Sequence, residues 1–256
     1  MCLPEMRVSI IVSAYNTPRY LRWCLSSITW LSELPHEVIV ADDGSGNEVT
    51  KVVEEFRSIL ECPLLHSWIS DSGFRLARSR NCAAKKASGD FLLFIDGDCI
   101  LPNDYVWRAK KIFKPDRIIN GARKLLTETQ TKQLLAVGPS FHMVRPFFSG
   151  RKFWKVNLPF VREIPARSWS IFRGFSMGIP RGIFDHLSGF NEAYRSWGLE
   201  DSDFAVRALR EDFRIRDGRY ALTVLHMYHP EPSKGDVSVN QSMFNALLES
   251  EGRSYD

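Results

Sequence analysis

The sequence predicts an α/β fold: a mostly parallel central sheet flanked by helices. Three observations carry that expectation. Short β-branched, apolar runs recur at 8–13, 37–41 and 91–95 and read as buried parallel strands. Segments with apolar residues at helical spacing lie between them. Polar residues (Tyr15, Asp43, Asp96 and Asp98) follow three of the strands, at the carboxyl ends where parallel sheets bind ligands.

The elements follow in order. The first strand is 8–13 (VSIIVS), and Pro18 suits the first turn of the next helix. Leu21, Cys24, Leu25, Ile28 and Leu31 mark that helix's buried face. Strand 37–41 (EVIVA) ends in Asp42-Asp43-Gly44-Ser45, and Val49, Val52, Val53 and Phe56 mark a second helix. Residues 64–68 form a third strand. A helix over 76–87 ends at Ser88-Gly89 as a C-cap would. Strand 91–95 (FLLFI) runs into Asp96-Gly97-Asp98, and Pro102-Asn103 opens a helix reaching about residue 113. This alternation implies right-handed crossovers. Beyond Gly121 the pattern loosens. Residues 124–137 are helical or mixed, and 139–170 are irregular. Segment 174–179, a helix near 181–187, a loop over 189–197 and a helix near 201–211 follow. A strand at 220–226 precedes His229-Pro230, and a tail helix covers 239–248.

The 256 residues suit one domain, with a first half to 121 and a second half over 122–256. Hydrophobic residues make up 44% and charged ones 25%, enough for a core without disulfides. The five cysteines are scattered and hold no C-x-x-C pair, so a reducing cytoplasm is expected. No apolar run is long enough to span a bilayer, and MCLPEMR carries no secretory signal. Between 140 and 184 lie eight Lys/Arg, one acid and ten Phe/Trp. That stretch reads as an irregular loop, as a contact for an anionic acceptor, or as a peripheral contact at the inner face of a membrane. No nucleic-acid module appears, and none is expected as a partner. The sequence leaves the oligomeric state open.

Asp96-Gly97-Asp98 places two carboxylates at a strand end, suited to a hard cation bridging diphosphate oxygens. The glycine would let the turn bend and let substrate approach the backbone. An ordinary Asp-Gly turn is the simpler alternative. Asp43 could accept hydrogen bonds from a base N–H or from ribose hydroxyls, or serve a turn and a helix cap. His226 and His229 close a late strand, and neutral imidazoles ligate Mn²⁺ beside carboxylates. In Trp197-Gly198-Leu199-Glu200-Asp201 the acids suit a helix N-terminus, or a general base acting on an acceptor hydroxyl. Trp197 would offer a sugar ring a flat face.

These motifs resemble a known group. VSIIVSAYN, DDGS, GFRLARSRN and FLLFIDGDC, over 8–105, are similar to inverting GT-A glycosyltransferases of family 2. Residues 174–230, with GFSMG, GFNE and W-G-x-E-D, resemble the beta-1,4-galactosyltransferases and the bacterial chondroitin polymerase type. The likeness covers about four fifths of the chain. It implies a GT-A (nucleotide-diphospho-sugar transferase) fold with a nucleotide-sugar-binding half, 1–121, and an acceptor-binding half, 122–256. It implies a UDP-sugar donor and a glycan or lipid-linked glycan acceptor in bacterial surface polysaccharide synthesis. By that resemblance Ala14, Tyr15, Asn16 and Asp43 line the nucleotide pocket. Arg80, with Arg75 or Arg78, faces the donor. Asp96 contacts ribose or sugar. Asp98 binds Mn²⁺ (or Mg²⁺) with His229, and His226 stands where those relatives have a methionine. Asp201 is the catalytic base, and Glu200 is its acid neighbour on the acceptor. Tyr194-Arg195-Ser196 stands where the galactosyltransferases have a second Trp-Gly. The rival readings are a haloacid-dehalogenase-like phosphatase, whose D-x-D sits on the first strand, and an inactive nucleotide- or sugar-binding module.

Overall fold

A computed structural model describes residues 6–148, 168–230 and 237–250. In the first part, strands β1 (Val8–Ala14), β2 (Glu37–Asp42), β3 (Leu64–Trp68) and β4 (Phe91–Asp96) alternate with helices α1 (Pro18–Thr29), α2 (Asn47–Arg57) and α3 (Leu76–Lys86). Pro18 stands at the start of α1, where its missing N–H costs nothing. A two-residue strand β5 (Cys99–Ile100) and helix α4 (Tyr105–Ile112) follow. Next come β6 (Arg117–Asn120), β7 (Ala122–Leu125), α5 (Glu128–Val137) and α6 (Phe141–Phe148). The remainder holds β8 (Ser176–Pro180), α7 (Arg181–His186), α8 (Glu200–Arg210), β9 (Arg214–Asp217), β10 (Thr223–His226) and α9 (Ser238–Glu249).

The main sheet has the order β3-β2-β1-β4-β8-β6-β9. Neighbours from β3 to β4 pair in parallel, and β8 runs antiparallel to both β4 and β6. Alternate residues of the central strands face opposite layers. Ile10, Val12, Val38, Val40, Leu93 and Ile95 pack with α1, α2 and α4. Ile11, Ile39, Leu92 and Phe94 pack with α3, α7 and α8. Burial on both faces explains why these strands read as nearly continuous apolar runs. A second, three-stranded sheet β5-β10-β7 covers Trp23, Ile100, Leu225 and Met227 together with α5 and α6.

Several expectations need correction. Ser88-Gly89 does not cap α3: the cap is Ala87, in an extended conformation. Gly89 is there because a Cβ would stand 2.4 Å from Ser9 Oγ. At Gly97 the close neighbour is protein, since a Cβ would meet the Ser13 carbonyl oxygen at 2.5 Å. The segment 139–170 is not wholly irregular, because α6 occupies its start. Residues 149–167 of the basic, aromatic stretch lie outside the described residues. Among the described residues no helix is long and apolar enough to cross a membrane.

Candidate active site

The carboxyl ends of β1, β2 and β4 place the first group of side chains. After β1, Asn16 takes a left-handed conformation (φ 50°). Its backbone N–H donates to Ser45 Oγ, and its side chain accepts from the Gly46 N–H. Tyr15 beside it is 47% exposed, with its hydroxyl donating to Asp71 at 3.2 Å. The two acids ending β2 differ sharply. Asp42 accepts from the N–H groups of Gly44 and Ser45 and pairs with His66 at 2.8 Å, so it is spent on the turn. Asp43 accepts the Arg75 backbone N–H at 2.7 Å through Oδ2, while its buried Oδ1 has no protein partner among the described residues. Burial pushes the Asp43 carboxyl up to about 6, against the opposing Arg75 N–H and charge.

Asp98 leaves β4 to meet the end of β10. The pairing of β5 with β10 sets His226 opposite Cys99, and the Met227 N–H donates to the Asp98 carbonyl. Asp98 Oδ2 lies 3.0 Å from His229 Nε2, and Oδ1 lies 3.4 Å from His226 Nε2. Burial opposes ionisation of Asp98, yet the His229 bond and the two imidazoles hold it below the usual carboxylate range. His229 is raised to about 9 by that same bond; burial lowers His226. Cys99 stays a thiol because burial and both acids push it far up. A carboxylate with two imidazoles suits a transition ion such as Mn²⁺ better than Mg²⁺, which prefers oxygen ligands. Ligand atoms of Asp98 and His226 lie within 4.8 Å of one another and of the Cys99 sulfur, and His229 Nε2 reaches Asp98 at 3.0 Å. With Cys99 kept as a thiol, the carboxylate and the two imidazoles are the donors that fit such an ion.

The second acidic group enters through an unusual bend. Gly198 and Leu199 both adopt positive φ (90° and 77°). Positive φ at a leucine is disfavoured, and it sets Glu200 and Asp201 at the very start of α8. Asp201 Oδ2 accepts the Gly174 N–H at 2.6 Å and Oδ1 accepts the Ser202 N–H at 2.6 Å. Asp203, on the same turn, is held by Arg207 at 2.6 Å and by Tyr194. Trp197 is 48% exposed.

Arg80 joins the two groups. Its guanidinium, wholly buried, donates to Asp96 at 2.9 Å, Glu200 at 3.2 Å, Ser13 Oγ at 3.1 Å and the Gly174 carbonyl at 2.9 Å. The sequence reading aims Arg80 at the donor. The structure instead sets it beneath Asp96 and Glu200, fully engaged by protein. Burial lifts Glu200 to about 7, the Asp201 charge adds to this, and Arg80 opposes it. Asp96 rises to about 6 chiefly through burial, with Arg80 opposing. The expected residues therefore converge: Asp98 with both histidines, then Asp96, Arg80, Glu200 and Asp201. Sequence reasoning missed Ser13 and the Gly174 backbone. A Cβ at Gly174 would lie 3.3 Å from both Arg80 Nη1 and Asp201 Oδ2.

The sequence model of glycosyl transferase family 2 matches residues 9–153, more than half of the chain. A second family model, described as N-terminal domain of galactosyltransferase, matches 162–230. The chain is 23% identical to chondroitin synthase of Escherichia coli, over 88% of this chain and 35% of that protein. The chain thus spans about a third of that curated relative's length. Among solved structures it resembles S. aureus TarS in complex with UDP-GlcNAc (TM-score 0.61, 19% identity, 90% of this chain and 61% of that one). It also resembles a mannosyltransferase from Pyrobaculum calidifontis in complex with GDP-Man and Mn²⁺ (TM-score 0.61, 18% identity, 97% of this chain and 66% of that one). These likenesses agree with a GT-A fold.

Proposed function

The chain belongs to glycosyl transferase family 2, and from that premise we propose that it transfers a hexose or N-acetylhexosamine from a UDP-sugar to a glycan hydroxyl. Transfer inverts the anomeric carbon. The acceptor is a glycan or lipid-linked glycan of bacterial surface polysaccharide synthesis, in keeping with the chondroitin synthase likeness. The UDP-GlcNAc complex of the TarS neighbour supports the donor class. One observation carries the reading: Arg80 bonds Asp96 of one acidic group and Glu200 of the other. On this reading Asp201, next to Glu200, serves as the base beside an Asp96–Asp98 edge that takes the diphosphate.

Each residue has a task in this scheme. Ala14, Tyr15 and Asn16 wall the nucleotide pocket, and the unpartnered Asp43 Oδ1 accepts a hydrogen bond from the nucleoside. Asp98 and His229, with His226 beside them, would hold Mn²⁺ or Mg²⁺. When bound, that ion offsets charge on the leaving diphosphate. Asp201, its carboxylate fixed by two backbone N–H groups, takes the proton from the attacking hydroxyl. Trp197 stacks against the acceptor ring. A single displacement needs a base and a stabilised leaving group, and no protein nucleophile.

Asp201→Asn tests the assignment. The expected result is a loss of roughly 10²–10⁴-fold in turnover, with UDP affinity retained. The measurement is nucleotide release across a panel of nucleotide sugars. Turnover near the wild-type level would remove Asp201 from the mechanism.

A further inference from the structure

An open cleft of about 340 Å³ is lined by Ser72, Arg75, Arg78, Glu192 and Arg195; of these, the family resemblance gave only Arg75 or Arg78 a place, facing the donor. Three guanidinium groups face one carboxylate there. Glu192 is already engaged, accepting from Asn81 Nδ2 at 3.0 Å. Arg78 and Arg195 have no hydrogen-bond or ion-pair partner among the described residues. Arg75 donates through Nη2 to the Ser70 carbonyl, while its buried Nε has no partner among the described residues. Arg78 and Arg195 are exposed, so water serves their donors; the buried Arg75 Nε is the donor that calls for an acceptor.

The cleft's walls are fixed before any ligand arrives. On one side the Arg75 backbone N–H is bonded to Asp43. On the other, Asn81 clamps the Phe190 backbone through both ends of its amide, at 2.8 and 2.9 Å. Tyr194, next to Arg195, is buried and donates to Asp203 at 3.3 Å. Arg195 thus projects from an anchored loop that runs on through Trp197 into Glu200 and Asp201. That loop is the acceptor side of the site, whereas the donor's base and diphosphate are accounted for by Asp43 and Asp98.

We propose that this cleft binds an anionic group, phosphate or carboxylate, carried by the acceptor glycan, so that the protein selects charged acceptors over neutral ones. The proposal rests on the sugar-transfer reading for its biological sense, but the site itself stands on geometry. Guanidinium groups favour planar or tetrahedral oxyanions because they donate paired hydrogen bonds.

Calorimetric binding tests it on the intact chain. The probes are a neutral hexose oligomer, the same oligomer bearing a uronic carboxylate, and the same oligomer bearing a phosphodiester. The wild type should bind one or both charged probes at least tenfold more tightly than the neutral one, with the preference shrinking as salt is added. The two charged arms identify which oxyanion is preferred. Arg78→Ala with Arg195→Ala should bring the ratio close to one, at about tenfold per guanidinium. Arg195→Lys should restore part of it. Equal binding of charged and neutral probes by the wild type would overturn the proposal. So would a charge preference that survives in a double variant with native circular dichroism. A wild type that shows the preference yet releases nucleotide from no donor would count against sugar transfer and leave the anion site standing.

Discussion

Replacing Arg80 by methionine removes the one buried cation that holds the two acidic groups together. The side chain is 1% exposed, and its Glu200 partner is 6% exposed. Deleting one member of a buried, bonded ion pair leaves the other charged in an apolar setting, at a cost of about 3–5 kcal/mol. Asp96, at 30% exposure, recovers part of its loss from water, so the lower end of that range is the expectation. For a chain of this size that corresponds to a fall in Tm on the order of 10 °C. The cost depends on pH with a definite sign. Glu200 is raised to about 7, so the folded state holds its proton more tightly than the unfolded chain does. The stability from that protonation is present at low pH and is lost as pH rises through about 7. Without Arg80 the carboxyl rises further, and protonation relieves more of the damage. Thermal melts at pH 6 and pH 8 read the difference: the methionine variant should lose more, relative to wild type, at pH 8. An equal drop at both values would mean that Arg80 fills space and does not balance Glu200.

Three further outcomes follow from the same geometry. Because burial lifts Asp43 to about 6 and only its ionised form is a pure acceptor, affinity for a UDP-sugar should rise as pH climbs through 6, by up to about tenfold per unit below that value. Asp43→Asn should flatten that calorimetric profile, and an unchanged slope would remove Asp43 from the nucleotide pocket. EDTA should abolish nucleotide release, and His229→Ala should raise the Mn²⁺ concentration needed for half-maximal activity at least tenfold; full turnover in excess chelator would rule out the ion. Gly189→Ala should lower the unfolding midpoint markedly, since φ is 73° and a Cβ would lie 2.6 Å from Asn81 Oδ1. A midpoint within error of wild type would show that the clamp on Phe190 can yield.

The first half of the fold was legible because its strands are buried on both faces. Runs such as 8–13 and 91–95 carry their own signal, and β1 through β4 begin where the sequence placed them. The short strands were not legible. β6 (RIIN) and β9 (RIRD) are four residues each and carry charge, so pairing decides them more than pattern does. The antiparallel course of β8 leaves no mark on its composition. Helix α6 contains Pro146, ordinarily a reason to reject a helix. Its Val144 and Phe148 nevertheless bury against Trp23 and Leu225, which outweighs one lost backbone bond.

In the site, residue types were legible and their division of labour was not. Asp42 and Asp43 are equivalent as neighbours in a turn; only their partners separate the structural acid from the available one. Arg80 shows the same limit in another form, since nothing local in ARSRN says that its charge is spent inside the protein. Once placed, it exposes an imbalance. Asp96, Asp98, Glu200 and Asp201 are four carboxylates. Against them stand the buried guanidinium of Arg80, the more distant charge of Arg123 acting on Asp96, and two imidazoles. With all four acids ionised, those fixed cations offset only part of the negative charge of that edge. Burial is the chief reason that Asp96 and Glu200 hold protons, with the neighbouring acids adding to it, and Asp98 draws a proton onto His229. A divalent ion between Asp98 and the histidines would displace such a proton and turn the same edge attractive. In the proposed scheme, donor affinity as well as the chemical step would thereby be tied to the metal.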